Sequence, residues 1–229
     1  MLILSIDTST TVCSVALHQA GALLGSYELF TERTSSAMLT TLIGDVVRHA
    51  GHELRQLDAV AVAKGPGSYT GLRIGVSTAK GLCFALDKPL LAINTLAAMA
   101  EQIRPLFSSD YRLCPMLDAR RMEVYCAIFD TNGQELLPTS AKIVEEQSFS
   151  EWLMEQPVVF FGDGATKCRP LLSGHGNAIF PNMEIRPSAR TVGQLAMQAF
   201  AAGRFEDVAH FEPFYLKDFM VTKPKKVVG

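Results

Sequence analysis

The segment Gly65-Pro66-Gly67-Ser68-Tyr69-Thr70-Gly71-Leu72-Arg73-Ile74-Gly75 sets the tightest constraint on how this chain can fold. It follows an apolar run, 59–63, and leads into a stretch with helical spacing. A strand that turns through glycines into a helix points backbone N–H groups above the helix start, where anions commonly sit. The spacing nevertheless misses the standard phosphate loops. Three residues separate Gly67 from Gly71 and no Gly-Lys-Ser/Thr follows, which excludes a Walker A loop. Gly65-x-Gly67-x-x-Thr70 only approaches the dinucleotide fingerprint. The loop therefore predicts an α/β junction and leaves its ligand open.

Periodicity places this junction in a larger plan. Strands are expected at 2–7, 12–19 and 22–29, with a polar turn at 8–11 between the first two. At 36–50, Met38, Leu39, Leu42, Ile43, Val46 and Val47 share one helical face. A buried strand at 58–63, a helix at 71–86, a strand at 89–93 and a helix at 95–103 complete the first half, and Pro105 marks a boundary. The second half starts again with strands at 113–118, 123–130 and 135–144. A short helix at 149–154 follows, then a strand at 158–161 running into Gly162-Asp163-Gly164. A shift of 111 residues superposes Asp7 on Asp118, Ala16 on Ala127 and Leu17 on Ile128. The interval from Asp118 to Gly162 is 14 residues shorter than that from Asp7 to Gly65, so the second copy is abbreviated. The expectation is an α/β chain of two lobes with mixed sheets, 1–104 and 105–229. A helix near 190–203 is free to pack back on the first lobe.

Composition narrows the function classes. With 48% hydrophobic and 19% charged residues the chain reads as globular. A net charge of −2 gives no overall attraction to nucleic acid. The basic run Lys223-Pro224-Lys225-Lys226 reads as a solvated terminus or as an RNA or partner contact. Cysteines 13, 83, 114, 126 and 168 form no C-x-x-C pair, which predicts reduced thiols without structural disulfides. No basic leader and no run of about 18 apolar residues is present, so neither a signal peptide nor a membrane span is expected, and the expected location is cytoplasmic.

The duplicated plan resembles the actin/hexokinase/Hsp70 superfamily, whose members are two such lobes (ribonuclease H-like in each half) around a nucleotide cleft. Within it, three stretches closely match the TsaB (YeaZ-type) family: Ile6-Asp7-Thr8-Ser9-Thr10, the Gly65–Gly75 segment with Val76-Ser77-Thr78-Ala79-Lys80-Gly81-Leu82, and Asp118-Ala119-Arg120-Arg121-x-Glu123-Val124-Tyr125. The resemblance spans nearly the whole chain. It implies a non-catalytic scaffold or activator that binds a TsaD-like transferase, which carries threonylcarbamoyl from its adenylate to adenosine 37 of tRNAs reading codons that begin with A. A TsaE-like ATPase would be a third partner, tRNA would be met indirectly through the complex, and a homodimer is expected when the chain is alone. The enzymatic sister family carries a His-x-x-x-His metal pair on the helix that here holds Met38, Leu39, Leu42 and Ile43, so neither a metal nor a catalytic residue is expected. His-Ser often precedes that helix in the family, and here Ser35-Ser36 stand alone.

Actin-like nucleotide sites need an Asp-x-Gly hairpin, because glycine lets backbone approach phosphate. Asp7 is followed by Thr8, Ser9 and Thr10, and Asp118 by Ala119, Arg120 and Arg121; neither hairpin has the glycine. The hydroxyls either donate to an anion or satisfy their own turn. The adjacent guanidinium groups suit a carboxylate, phosphate or partner, or an ion pair with Glu123 or another acid. Together with Gly67 and Ser68 these positions form the candidate for a vestigial or shared nucleotide site. No intrinsic cofactor is expected, and ATP or ADP is considered at the assembly interface.

Ser68 or Thr70 is the expected N-cap of the following helix. Arg73 would then sit in the first turn, where the helix dipole disfavours a cation by up to about 1 kcal/mol, so an acidic partner is expected. Gly71, Gly75 and Ala79 form a small-residue stripe, and each interior glycine costs a helix about 1 kcal/mol relative to alanine. Close approach of another backbone explains it, either the lobe's own sheet and the 36–50 helix or a partner's helix. The expected partner interface is Met38, Leu42, Gly71, Gly75, Ala79 and Arg73. Other motifs fail: Ser77-Thr78-Ala79-Lys80 matches S-x-x-K without its companion motifs, and His49 with His52 has no third ligand nearby. A stand-alone actin-like ATPase or small-molecule kinase, with Asp7 toward metal-bound water and the Gly65 loop on phosphate, is the alternative from another class. Direct tRNA binding through Arg120, Arg121 and the lysine run is a weaker third.

Overall fold

The computed structural model describes residues 1–30 and 36–216, and the basic run at 223–226 lies outside them. The first repeat opens with a meander, β1 (Leu2–Asp7), β2 (Val12–Gln19) and β3 (Ala22–Phe30), followed by α1 (Ser36–His49). Then come β4 (Ala59–Gly65), α2 (Tyr69–Leu86), β5 (Leu90–Asn94) and α3 (Thr95–Ile103). The second repeat is β6 (Arg112–Asp118), β7 (Glu123–Phe129), β8 (Glu135–Ile143), α4 (Ser150–Glu155), β9 (Val158–Phe161), α5 (Asp163–Leu172), β10 (Ala178–Ile179) and α6 (Ala189–Ala201).

The two sheets have one topology. The first runs β3-β2-β1-β4-β5 and the second β8-β7-β6-β9-β10. In each, the meander strands pair antiparallel and the last two strands add in parallel. Every residue of β1 is buried, as befits a strand with helices on both faces. The shortening is local: α4 has 6 residues against 14 in α1, α5 has 10 against 18 in α2, and β10 has 2 against 5 in β5.

The lobes exchange their last helices. Leu96, Met99, Ala100 and Ile103 of α3 pack with Leu113, Leu117, Phe129 and Phe161, on the sheet of the second repeat. Val192, Ala196 and Ala199 of α6 pack with Ile3, Ala59, Ala61 and Ala63, on the sheet of the first. The division at 104/105 therefore follows the chain and not the packing. Side-chain size explains how α6 lies so near: β4 offers three alanines to Val192, Ala196 and Ala199 of α6, and Gly193 lets the helix approach His18 of β2 and Ser5 of β1. The opposite face of the first sheet carries Leu4, Ile6, Val15 and Val62 against α1 and α2.

After α6 the chain runs back beside β5 and under α2. Glu206 N donates to Leu90 O at 2.9 Å and Phe214 N to Lys64 O at 2.7 Å. Lys80 Nζ donates to Ala209 O at 3.2 Å and Phe211 O at 2.9 Å. The S-x-x-K lysine thus fastens this strap. All five cysteines are buried, and none is in a disulfide.

Element boundaries differ from the sequence reading at the glycine loop. Ser68 accepts from Gly71 N at 3.3 Å and caps α2, so the helix starts at Tyr69, not at Gly71. Arg73 consequently falls beyond the first turn, where the dipole field has faded. The helix α5 was not anticipated.

Packing under α6 yields a test. A Cβ on Gly193 would fall onto the His18 ring and within 3.0 Å of Ser5 Oγ, whereas one on Gly81 of α2 would meet nothing within 4 Å. Gly193→Ala is expected to destabilise by about 1–3 kcal/mol through overpacking. Gly81→Ala is expected to stabilise by up to about 1 kcal/mol through helix propensity. Urea denaturation of the two variants checks both signs.

Candidate docking face and interlobe cleft

The turn after β1 and the loop before α2 are built against each other. Ser68 N donates to Ser9 O at 2.6 Å, and Thr8 Oγ1 donates to Gly71 O at 2.7 Å. A Cβ on Gly67 would overlap Ser9 O, one on Gly71 would overlap Thr8 O, and one on Gly75 would overlap Thr8 Oγ1. On the other side of the loop, a Cβ on Gly65 would meet Phe214 O at 2.8 Å. The small-residue stripe is therefore occupied from within the chain. Gly71, Gly75 and Ala79 are buried, which corrects the expectation that they face a partner.

Burial also reshapes the nucleotide candidate. Asp7, Thr8 and Ser9 are at most 1% exposed. Asp7 Oδ1 accepts from Ser9 N at 2.9 Å and Ser9 Oγ at 2.7 Å, while Oδ2 has no hydrogen-bond partner. Desolvation pushes the Asp7 carboxyl up to about 6, against the lowering effect of the two Ser9 bonds. Ser68 gives its N–H to Ser9 O, so the loop that looked ready for phosphate holds the chain's own carbonyl.

The second hairpin repeats the first in outline. Asp118 Oδ1 accepts from Arg120 N at 2.7 Å, as Asp7 does from Ser9 N. Lys167 Nζ, from α5, donates to Asp118 Oδ1 at 2.6 Å and to Glu123 O at 2.7 Å. Asp163 Oδ1 accepts from Asp118 N at 2.9 Å, and burial raises the Asp163 carboxyl above its usual range. Arg120 and Arg121 are exposed at the hairpin tip, with φ of 72° and 51°. Lys167, which sequence reading missed, is the cation that ties the hairpin down.

Between the lobes lies a cleft of about 730 Å³. Thr10 and Thr11 line it from the first lobe, Asp163, Thr166 and Arg169 from the second, and residues 181–187 close one side. Of the nine nucleotide-site candidates only Thr10 lines this space; Asp7, Thr8, Ser9, Gly67, Ser68, Asp118, Arg120 and Arg121 do not. No open constellation unites them. Among the described residues no group of three or more His, Cys, Asp or Glu could hold a metal ion. His49 takes up its Nδ1 with the Tyr27 hydroxyl at 2.6 Å.

The outer face of α1 and α2 has a different character. Ala37, Thr40, Thr41 and Arg48 of α1 are exposed, as are Arg73, Ser77, Gly81 and Phe84 of α2. Phe84 is 86% exposed. Gly44 and Gly81 are interior helix glycines with nothing within 4 Å of a Cβ position. Met38 and Leu42 are half-buried against the first-lobe core and sit at the edge of this face. Among the described residues no carboxylate pairs with Arg73; its guanidinium lies 5.5 Å from the Tyr69 ring centroid. The helical pattern held the signal that was missed: Gly44 and Gly81 fall on the polar sides of their helices, where no internal neighbour explains them.

Asp7 supplies a pH test. Its folded pKa of about 6 lies above the ordinary aspartate value of 3.8, so its contribution favours folding in full below about pH 4 and is lost as pH rises through about 6. Above that, the buried carboxylate costs about 2–3 kcal/mol. Asp7→Asn, which retains an acceptor for Ser9, is expected to be more stable than the parent at pH 7.5, with the difference vanishing toward pH 4. Urea titrations at several pH values measure it.

Comparison with known proteins agrees with this architecture. The family described as "TsaD: tRNA N6-adenosine threonylcarbamoyltransferase" matches residues 29–228. The chain is 32% identical to the tRNA threonylcarbamoyladenosine biosynthesis protein TsaB of Escherichia coli, over 97% of each. It superposes on YeaZ from Pseudomonas aeruginosa with a TM-score of 0.80 and 28% identity, covering 94% of this chain and 99% of that one. The activator of 2-hydroxyisocaproyl-CoA dehydratase from Clostridium difficile, at 10% identity and a TM-score of 0.50 over 89% of this chain and 96% of that one, shares the fold alone. The fold is actin-like, and the chain belongs to the TsaB (YeaZ-type) family, within the wider group that the TsaD description covers.

Proposed function

We propose that this chain serves tRNA threonylcarbamoyladenosine biosynthesis as a non-catalytic docking subunit that binds a TsaD-type transferase through the outer face of α1 and α2. The observation that carries this reading is a pair of interior helix glycines, Gly44 and Gly81, with nothing within 4 Å of a Cβ position, and an exposed Phe84 one turn after Gly81. Each costs the free helix about 1 kcal/mol relative to alanine, and each admits the backbone of another helix. The relatives' role in tRNA threonylcarbamoyladenosine biosynthesis supports the process. The match of this chain to the TsaD description supports a partner built on the same plan. Such a partner presents a like pair of helices, and like faces pair about a pseudo-twofold axis. The same geometry lets two copies of this chain pair when the transferase is absent, and leaves a TsaE-type ATPase and tRNA to be met through the assembled complex.

The non-catalytic part rests on what the would-be reactive groups already do. Asp7, Thr8 and Ser9 are buried and engaged with one another and with the glycine loop. Lys80 of the S-x-x-K string is bound to two carbonyls of the strap, so Ser77 has no free amine base at that position. One solved Pseudomonas structure is described as similar to a peptidase; the residues here offer such an activity no support. A stand-alone ATPase would need Asp7 open to a metal-bound phosphate, and its burial argues against that.

Gly75 is unsuited to testing the interface, because its Cβ would strike Thr8. Gly44→Gln and Gly81→Gln are the informative changes. Both are expected to leave thermal stability equal to or slightly above that of the parent, by up to about 1 kcal/mol, while reducing co-purification with the TsaD-type protein of the same source. Undiminished complex formation by both would show that the face is not the docking surface.

A further inference from the structure

We propose that Arg73, Tyr69 and Tyr215, together with the groove beside them, form a receptor for one carboxylate side chain carried by a helix of the docking partner. This rests on the docking reading above and specifies the partner's chemistry at one end of the face.

Arg73 is exposed, yet its side chain is not loose. The guanidinium sits 5.5 Å from the Tyr69 ring centroid, and Nη1 donates to Tyr69 Oη at 3.4 Å. Tyr69 is itself fixed by the Tyr215 ring, 4.7 Å away at a tilt of 33°. Tyr215 belongs to the strap, which is anchored next door by Phe214 N donating to Lys64 O at 2.7 Å. A guanidinium seated on an aromatic face is partly desolvated and already ordered, so less freedom is lost when it takes up an acid.

Beside Arg73 a groove of about 380 Å³ is lined by Ser36, Arg73, Ile74, Ser77 and Thr78. Among the described residues it holds one cation, three hydroxyl donors and an apolar wall, and no acid. Among the described residues no carboxylate forms an ion pair with Arg73. The complementary group is an anion small enough for one side chain, and the bidentate fork of arginine matches a carboxylate. Ser77 lies one turn from both Arg73 and Gly81, so an acid seated here belongs to the same partner helix that crosses at Gly81. The strap thereby becomes part of the interface: the C-terminal segment after α6 sets the position of Arg73 through Tyr215, which acts as a positioning residue.

The test is binding of the purified TsaD-type protein from the same source at low and high salt, with parent, Arg73→Ala, Arg73→Lys, Tyr215→Leu and Gly81→Gln chains. Thermal unfolding of each variant confirms the fold. Arg73→Ala is expected to raise Kd about tenfold at about 0.1 M salt and to flatten its salt dependence. Arg73→Lys retains the charge without the fork and is expected to recover only part of the loss. Tyr215→Leu is expected to fall between the parent and Arg73→Ala. If Arg73→Ala and Tyr215→Leu bind like the parent while Gly81→Gln does not bind, the receptor is wrong and the docking face stands. If Gly81→Gln also binds like the parent, the docking face is wrong and the receptor goes with it.

Discussion

The seating of α2 on the turn after β1 is the interaction on which the rest of the first lobe depends. Three glycines, Gly67, Gly71 and Gly75, bring the helix so near that a methyl group at any of them would overlap Ser9 or Thr8. Ser68 N and Thr8 Oγ1 close the contact with two hydrogen bonds. This one contact buries Asp7, consumes the donors of a loop that resembles a phosphate cradle, and sets the outer face of α2 beside that of α1. The tight turn and the open face are two consequences of one close approach.

The exchange of α3 and α6 between the sheets ties the lobes together. Each sheet is completed by the final helix of the other repeat, so neither repeat has a closed core by itself. The strap then carries the chain back to where it began, with Phe214 against Gly65 and Tyr215 on Tyr69. A segment remote in sequence thus buttresses the glycine loop from the side opposite Ser9. The functional reading follows from this division: the inner side of α2 is filled by its own chain, and the outer side is open to another.

Much of this was legible in the residues. The strands at 2–7, 12–19 and 158–161 and the helix at 95–103 follow their apolar periods and fall where expected. The repeat was legible because Asp7 and Asp118 open equivalent turns. The helix α5 escaped because Gly164, Thr166 and Pro170 break its pattern. No local signal tells which sheet α3 or α6 will cover, since an apolar face specifies burial but not a partner. The same limit applies to Gly71 and Gly75: spacing announces a close neighbour without naming it, and the neighbour proved to be Thr8. The start of α2 was placed two residues late, which put Arg73 in a dipole field it does not occupy and suggested an acid where the structure has an aromatic ring.

The most direct measurement of the central claim is hydrogen–deuterium exchange of the full chain, alone and bound to the TsaD-type transferase of the same source. The account predicts new protection confined to α1 and α2, strongest around Gly44 and Ser77 to Phe84, with residues 181–187 of the interlobe cleft unchanged. Protection centred on the cleft, with α1 and α2 exchanging as in the free chain, would contradict it.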